Sequence, residues 1–95
     1  MPRLVLSLDG VVLREVGLAK DRTTIGRRSH NDIVIDNLAV SGEHSVIYTS
    51  AGDVYLEDLG STNGTYLDRA KVTGLTPVPL GVPIRIGRTS LELRP

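Results

Sequence analysis

A chain of 95 residues has room for one hydrophobic core, because small domains bury only about 60 to 70% of the surface that their unfolded chains expose. Its hydrophobic content of 40% includes no Phe or Trp, so the core must be built from Leu, Val and Ile; the absence of Cys excludes disulfides, thiolate metal sites and cysteine nucleophiles. Eleven Lys+Arg balance eleven Asp+Glu, so no global field draws the chain to nucleic acid or anionic lipid, and His30 and His44 lack the spacing of a zinc site.

In chain order, short β-favouring runs cover Leu4–Leu8, Val11–Leu18, Thr23–Gly26, Ile33–Ile35, Ser45–Ser50, Val54–Leu59, Ile84–Gly87 and Ser90–Leu93. Helical periodicity is nearly absent. Alternation is visible in Leu4, Leu6 and Leu8 against Val5 and Ser7, and in Val54, Leu56 and Asp58 against Tyr55 and Glu57. Asp9-Gly10 between two apolar runs is a two-residue hairpin signal, and Gly52-Asp53 closes a second hairpin. The strands are therefore expected to be mostly antiparallel. Pro77, Pro79 and Pro83 mark an edge segment rather than a domain boundary, and residues 1–95 read as a single domain. Many short strands at close spacing predict an all-β sandwich or barrel. Met1-Pro2-Arg3-Leu4 lacks a signal peptide's apolar stretch, and no run approaches the roughly 18 apolar residues of a membrane span, so a soluble, cytoplasmic chain is expected. Its end at Pro95 fits either a minimal adaptor or a module of a larger protein.

Three loops concentrate polar chemistry, and a sandwich gathers alternate loops at one end. The first, Thr24 to Asp32, ends a strand in Gly26 followed by Arg27 and Arg28; guanidinium forks suit carboxylate or phosphate, although alone they also read as solvated surface charge. The second, Val40 to His44, offers the Ser41 hydroxyl to an anion, with His44 placed to hydrogen-bond backbone and hold the serine. The third, Leu59 to Tyr66, packs Gly60, Ser61, Thr62, Asn63 and Gly64 into one turn. Its amides and hydroxyls suit an anion, and the Asn63 carboxamide suits an extended peptide backbone; a plain turn with Asn63-Gly64 left-handed is the simpler alternative.

Taken together, Gly26-Arg27, Asn31-Asp32-Ile33, Ser41 with His44, Asp58 to Thr65 and Ile84-Arg85-Ile86-Gly87 resemble a forkhead-associated (FHA) domain, in order and over nearly the whole chain, from Leu4 to Leu93. The resemblance implies a β-sandwich of about eleven short strands that binds phosphothreonine peptides through loops at one end. Carried over, Arg27 would pair with the phosphate, Ser41 and Thr62 would donate hydroxyls to it, and Asn63 would hold the peptide backbone. Gly26, His44 and Gly64 would shape the loops, and Arg28 would add charge. Three departures bear on specificity. Gly42 follows the serine where relatives often carry Arg or Asn, which removes one side-chain contact. Ala39 stands where some relatives place a basic residue, so no strong acidic preference is expected there. Asp68-Arg69 replaces the usual Asn-Gly turn, leaving Arg69 for flanking contacts.

The implied partner is a threonine-phosphorylated protein or peptide in Ser/Thr kinase signalling, read by a monomeric module without cofactor, metal, nucleic acid or membrane. An enzyme with Ser41 as nucleophile and His44 as base lacks an orienting third group and a GxSxG elbow, so catalysis is not expected. The main alternative is a phosphate-independent interaction or dimerisation module. Three tyrosines, Tyr48, Tyr55 and Tyr66, offer few stacking platforms for nucleic acid.

Overall fold

A computed structural model describes all of residues 1–95. Eleven strands and no helix make up the chain: β1 (Arg3–Leu8), β2 (Val11–Gly17), β3 (Arg22–Gly26), β4 (Ile33–Val34), β5 (Ser45–Ser50), β6 (Asp53–Asp58), β7 (Tyr66–Leu67), β8 (Ala70–Lys71), β9 (Thr76–Pro77), β10 (Pro83–Ile86) and β11 (Thr89–Arg94). They form two sheets, one of six strands in the order β2-β1-β11-β10-β7-β8 and one of five in the order β4-β3-β5-β6-β9. Every pairing is antiparallel except β3 with β4. No helix is long and apolar enough to cross a membrane.

The expected sandwich is present, and its core is aliphatic as composition demands. Leu4, Leu6, Ile84, Ile86, Leu91 and Leu93 from the six-stranded sheet meet Ile25, Ile33, Ile47, Val54 and Leu56 from the five-stranded one in a single buried cluster. Alternation explains which residues take part: Ile84 and Ile86 are buried while Arg85 between them is exposed, as the two-residue period of a strand requires. Of the four two-residue strands, β4 lies in the Ile33–Ile35 run, while β7, β8 and β9 have no run long enough to show that period. Pro77 lies in β9 at an edge of its sheet, where a missing N–H costs no ladder bond.

The Asp9-Gly10 hairpin closes with both residues at positive φ (50° and 81°), the type I′ geometry that suits twisted strands. The second hairpin turns one residue earlier than expected. Ala51 and Gly52 occupy the turn at φ 51° and 84°, and Asp53 already belongs to β6, paired with Ser50. β2 is apolar yet exposed. It is an edge strand, and its pairing with β1 slips between Leu6 and Ser7 so that Leu13 bulges out; such a bulge blunts an open edge.

Candidate functional site

The β3–β4, β4–β5 and β6–β7 loops meet at one end of the sandwich, because the strands that deliver them are neighbours. β3 pairs with β5 and β5 with β6. The first two loops run side by side: Arg27 N donates to Ser41 O (2.9 Å), Arg28 N to Gly42 O (3.2 Å), and His44 N to Ile25 O (2.9 Å). Their backbones approach so closely that a methyl at Gly26 would stand 2.2 Å from the Gly42 carbonyl oxygen. Glycine is needed there for space. Asn31, buried beneath the first loop, donates through Nδ2 to Arg28 O (2.9 Å) and Gly42 O (2.8 Å), clamping both loops at once. The far end of the first loop is fixed by Asp32, which accepts from Thr24 N (2.9 Å) and contacts Lys20. The Lys20 hydrogen bond, then that from the Thr24 amide, hold its carboxyl below the ordinary range.

The third loop is tied in by His44 and Ser41. His44 is fully buried; Nδ1 accepts from Ser41 N (3.0 Å), which puts the ring proton on Nε2, directed at Gly64 O (2.9 Å). Ser41 Oγ in turn accepts from Thr62 N (3.0 Å), and Asn63 Nδ2 donates to Ala39 O (2.8 Å). Within the loop, Asp58 collects four donors: Gly60 N and Ser61 N (3.0 Å each), Ser61 Oγ (2.5 Å) and Thr65 Oγ1 (2.6 Å). Burial works against its charge, but hydrogen bonds from Ser61, Thr65 and Gly60 outweigh that and hold its carboxyl below the usual range. Thr65, spent on Asp58, accepts from the Ser45 hydroxyl (2.6 Å), which anchors the loop to β5.

A sandwich of this topology has counterparts among known proteins. The family model for the FHA domain matches residues 23–87. This chain belongs to the FHA domain family. It is 42% identical over 92 residues to the FHA domain-containing protein FhaB of Mycobacterium tuberculosis, covering 97% of this chain and 59% of that protein, so the chain spans little more than half of this relative's length. Among solved structures, it superposes on the FHA domain of the CT664 protein from Chlamydia trachomatis with a TM-score of 0.91 at 23% identity, covering 99% of this chain and 96% of that one. The FhaA FHA domain, solved in complex with the intracellular domain of Rv3910, matches with a TM-score of 0.89 at 30% identity, over 99% of this chain and all of the other. A further FHA structure, described for phosphothreonine-dependent interactions, matches at 0.86 and 29% identity over 98% and 96% of the two chains.

In this FHA domain the residues singled out from sequence fall into two sets. Gly26, His44 and Gly64 face inward, as loop-forming residues, with Gly64 at φ 84°. Arg27, Arg28, Thr62 and Asn63 are exposed and Ser41 is half-buried. Arg27 and Arg28 have no carboxylate partner. Because Ser41 Oγ accepts the Thr62 amide, its own O–H is left to donate elsewhere. Asn63 is partly committed: one amide proton goes to Ala39, and Oδ1 stays open.

The space over Gly42 is filled, which the sequence did not show. A methyl there would stand 2.7 Å from Arg28 Nε and 3.0 Å from its Cγ, so the Arg28 side chain lies across the glycine and occupies the place of the missing side chain. His44 Nδ1 takes the backbone N–H of Ser41, while Ser41 Oγ takes Thr62 N; the serine hydroxyl and the imidazole are therefore not arranged as nucleophile and base. Sequence reasoning also passed over the roles of Asn31, whose partners are the backbone carbonyls of Arg28 and Gly42, and of Asp58, whose partners are amides and hydroxyls of the turn that follows it. Lys71 and Tyr66 were missed as well. Their Cε and Cε1 atoms come within 3.3 Å and 3.2 Å of a methyl built on Gly64.

Proposed function

We propose that residues 1–95 act as one module that binds a threonine-phosphorylated peptide across the three joined loops, as a phosphorylation-dependent protein interaction domain rather than an enzyme. The observation that carries this reading is the Thr62 amide bonded into Ser41 Oγ, which joins two loops and leaves the Ser41 proton free, while the backbone bond from Arg27 to Ser41 brings in the loop that carries the unpaired Arg27. A phosphothreonine brings about −1.5 to −2 charge at pH 7 and three strong acceptor oxygens. Arg27 supplies the guanidinium fork for it, Ser41 and Thr62 the hydroxyl donors, and Arg28, laid over Gly42, a second positive charge at the rim. Asn63, oriented by its bond to Ala39, turns its free carbonyl oxygen toward a peptide N–H. Inside the loops, His44, Asn31, Gly26 and Gly64 hold these groups in place before the ligand arrives, which limits the entropy lost on binding. Charge-assisted hydrogen bonds are worth about 1.5 to 3 kcal/mol each, so an unphosphorylated threonine forfeits most of the affinity. The FhaA complex supports the use of this fold to bind another protein, and the phosphothreonine-dependent FHA structure supports the phosphate dependence.

A second reading rests on β2, where Val11, Val12 and Leu13 are 63%, 57% and 57% exposed on an open edge. That edge suits phosphate-independent contact with another protein. Calorimetric titration with a degenerate phosphothreonine peptide pool and its unphosphorylated twin separates the two: binding of the phosphorylated pool alone supports the first, and equal binding of both supports the second.

A further inference from the structure

We infer that the peptide surface continues past Asn63 onto the outer face of the six-stranded sheet, where Lys71, Arg85 and Arg69 receive an acidic segment of the same phosphorylated partner. This rests on the phosphothreonine reading above. The strand register places one row of side chains on that face: Lys71 lies opposite Tyr66, Tyr66 opposite Arg85, Arg85 opposite Ser90, and Ser90 opposite Ser7. Directly paired residues in a sheet share a face. At one end of this row, Lys71 and Tyr66 flank Gly64, the neighbour of Asn63, each within 3.3 Å of where a methyl on that glycine would stand, so the row begins at the loop that would hold the peptide backbone. Toward its other end, Arg85, Ser90 and Ser7 line an open basin of about 490 Å³ with Asp9, Asp68 and Arg69, and no large apolar side chain enters it.

The charges of this surface are unevenly spent. Asp9 is taken by Arg88 at 2.6 Å, and Glu92, two residues along β11 from Ser90, is taken by Arg94 at 3.3 Å. Lys71, Arg69 and Arg85 take part in no ion pair, and of the carboxylates lining the basin only Asp68 is left to oppose them. Cations without partners beside hydroxyls and without apolar neighbours suit carboxylates, not an apolar anchor. The spacing fits a continuing peptide. Strands lie about 4.8 Å apart, so Lys71 and Arg85, two strands apart, are separated by about 10 Å, which an extended chain crosses in about three residues. Acidic residues a few positions to one side of the phosphothreonine would therefore meet Lys71 first and Arg85 with Arg69 next.

The test uses phosphothreonine peptide pools, degenerate beside the phosphothreonine, that carry a Glu-Glu-Glu or a Gln-Gln-Gln tail on its N-terminal or its C-terminal side. Each is titrated into the wild-type domain and into an Arg69→Gln/Lys71→Gln/Arg85→Gln variant whose thermal midpoint is checked against wild type. Two or three exposed pairs of this kind support a preference of about fivefold for the Glu tail on one side, falling as salt is raised. The variant is expected to lose that preference and to keep the affinity for the Gln-tailed pool. Equal affinity for Glu and Gln tails on both sides in wild type overturns the inference, and so does a preference that persists in the variant. Failure of every phosphorylated pool to bind wild type is a separate result, which removes the phosphothreonine reading itself.

Discussion

The two-residue hairpin turns and the joined loops of this FHA domain solve the same problem, reversing the chain, by opposite means. Asp9-Gly10 and Ala51-Gly52 close through local geometry, with both residues of each pair at positive φ. The three joined loops are held from beneath by side chains at their own bases, two of which also reach across to a neighbouring loop: Asn31 bridges two carbonyls, His44 bridges Ser41 and Gly64, and Asp58 gathers four donors. A turn needs only a backbone shape. A binding end must also leave donors unspent, so the support comes from within and the outward groups stay free.

The contrast breaks most sharply at Gly26. Alanine there would drive its methyl to 2.2 Å from the Gly42 carbonyl and 2.7 Å from Asn31 Nδ2, against backbone and a buried clamp that have nowhere to go. Overpacking of this severity is expected to cost about 3 kcal/mol and lower the melting midpoint by about 12 to 24 °C. Differential scanning calorimetry of Gly26→Ala measures it, and a midpoint within a degree or two of wild type would mean that the loops part freely. Phosphopeptide binding should fall together with stability, since the two loops carrying Arg27 and Ser41 separate.

Next in size is Arg27→Ala, which should do the reverse. Arg27 is exposed and bonds the structure only through its backbone N–H, which alanine keeps. The melting midpoint should hold within the scatter of surface substitutions, about 0.5 kcal/mol, while phosphopeptide affinity drops by at least about 100-fold. Unchanged affinity in a titration of the folded variant would remove Arg27 from the site.

How much of this was legible beforehand follows the same division. The longer strands show in their apolar runs, and the hairpins in Asp-Gly and Gly signals, because each depends on residues adjacent in sequence. β7, β8 and β9 do not show, since two residues carry no period and their pairing is decided by neighbours such as Ile84 and Leu56. The three loops and their exposed donors are visible as clusters of Gly, Ser, Thr and Arg. What sequence leaves out is the underside: that Asn31 reaches Gly42 across eleven positions, that His44 reaches Gly64 across twenty, and that Arg28 covers Gly42. The bond between His44 and Ser41 spans only three residues, which is why the sequence could suggest it.

Asp58 sharpens the comparison through pH. Its carboxyl titrates lower in the folded protein than in the unfolded chain, so its contribution is complete above the unfolded value of about 3.9 and is lost as pH falls through the lower folded value. Asp32 shifts the same way but lies at the exposed end of the first loop, and solvent screening weakens its share. Denaturant unfolding between about pH 5 and pH 2.5 should therefore show stability falling with acid, and Asp58→Asn should flatten that slope while lowering stability at neutral pH. An unaltered slope in Asp58→Asn would show that the third loop does not depend on the charge.

The smallest effect belongs to the hairpin side. Ala51 holds φ at 51° with an ordinary side chain, and nothing outside the turn compensates: it is exposed and lies at the far end of β5 from His44. Asparagine tolerates that left-handed conformation better, and Asn-Gly is the favoured pair for a type I′ turn. Ala51→Asn is therefore expected to raise stability by about 0.5 to 1 kcal/mol, read as a melting midpoint higher by about 2 to 8 °C, with phosphopeptide affinity unchanged. A gain in stability confirms that this turn is set by its own backbone. A change in binding would instead show that the strain at Ala51 is transmitted along β5 to the loop end, and that turn and binding loops are not independent.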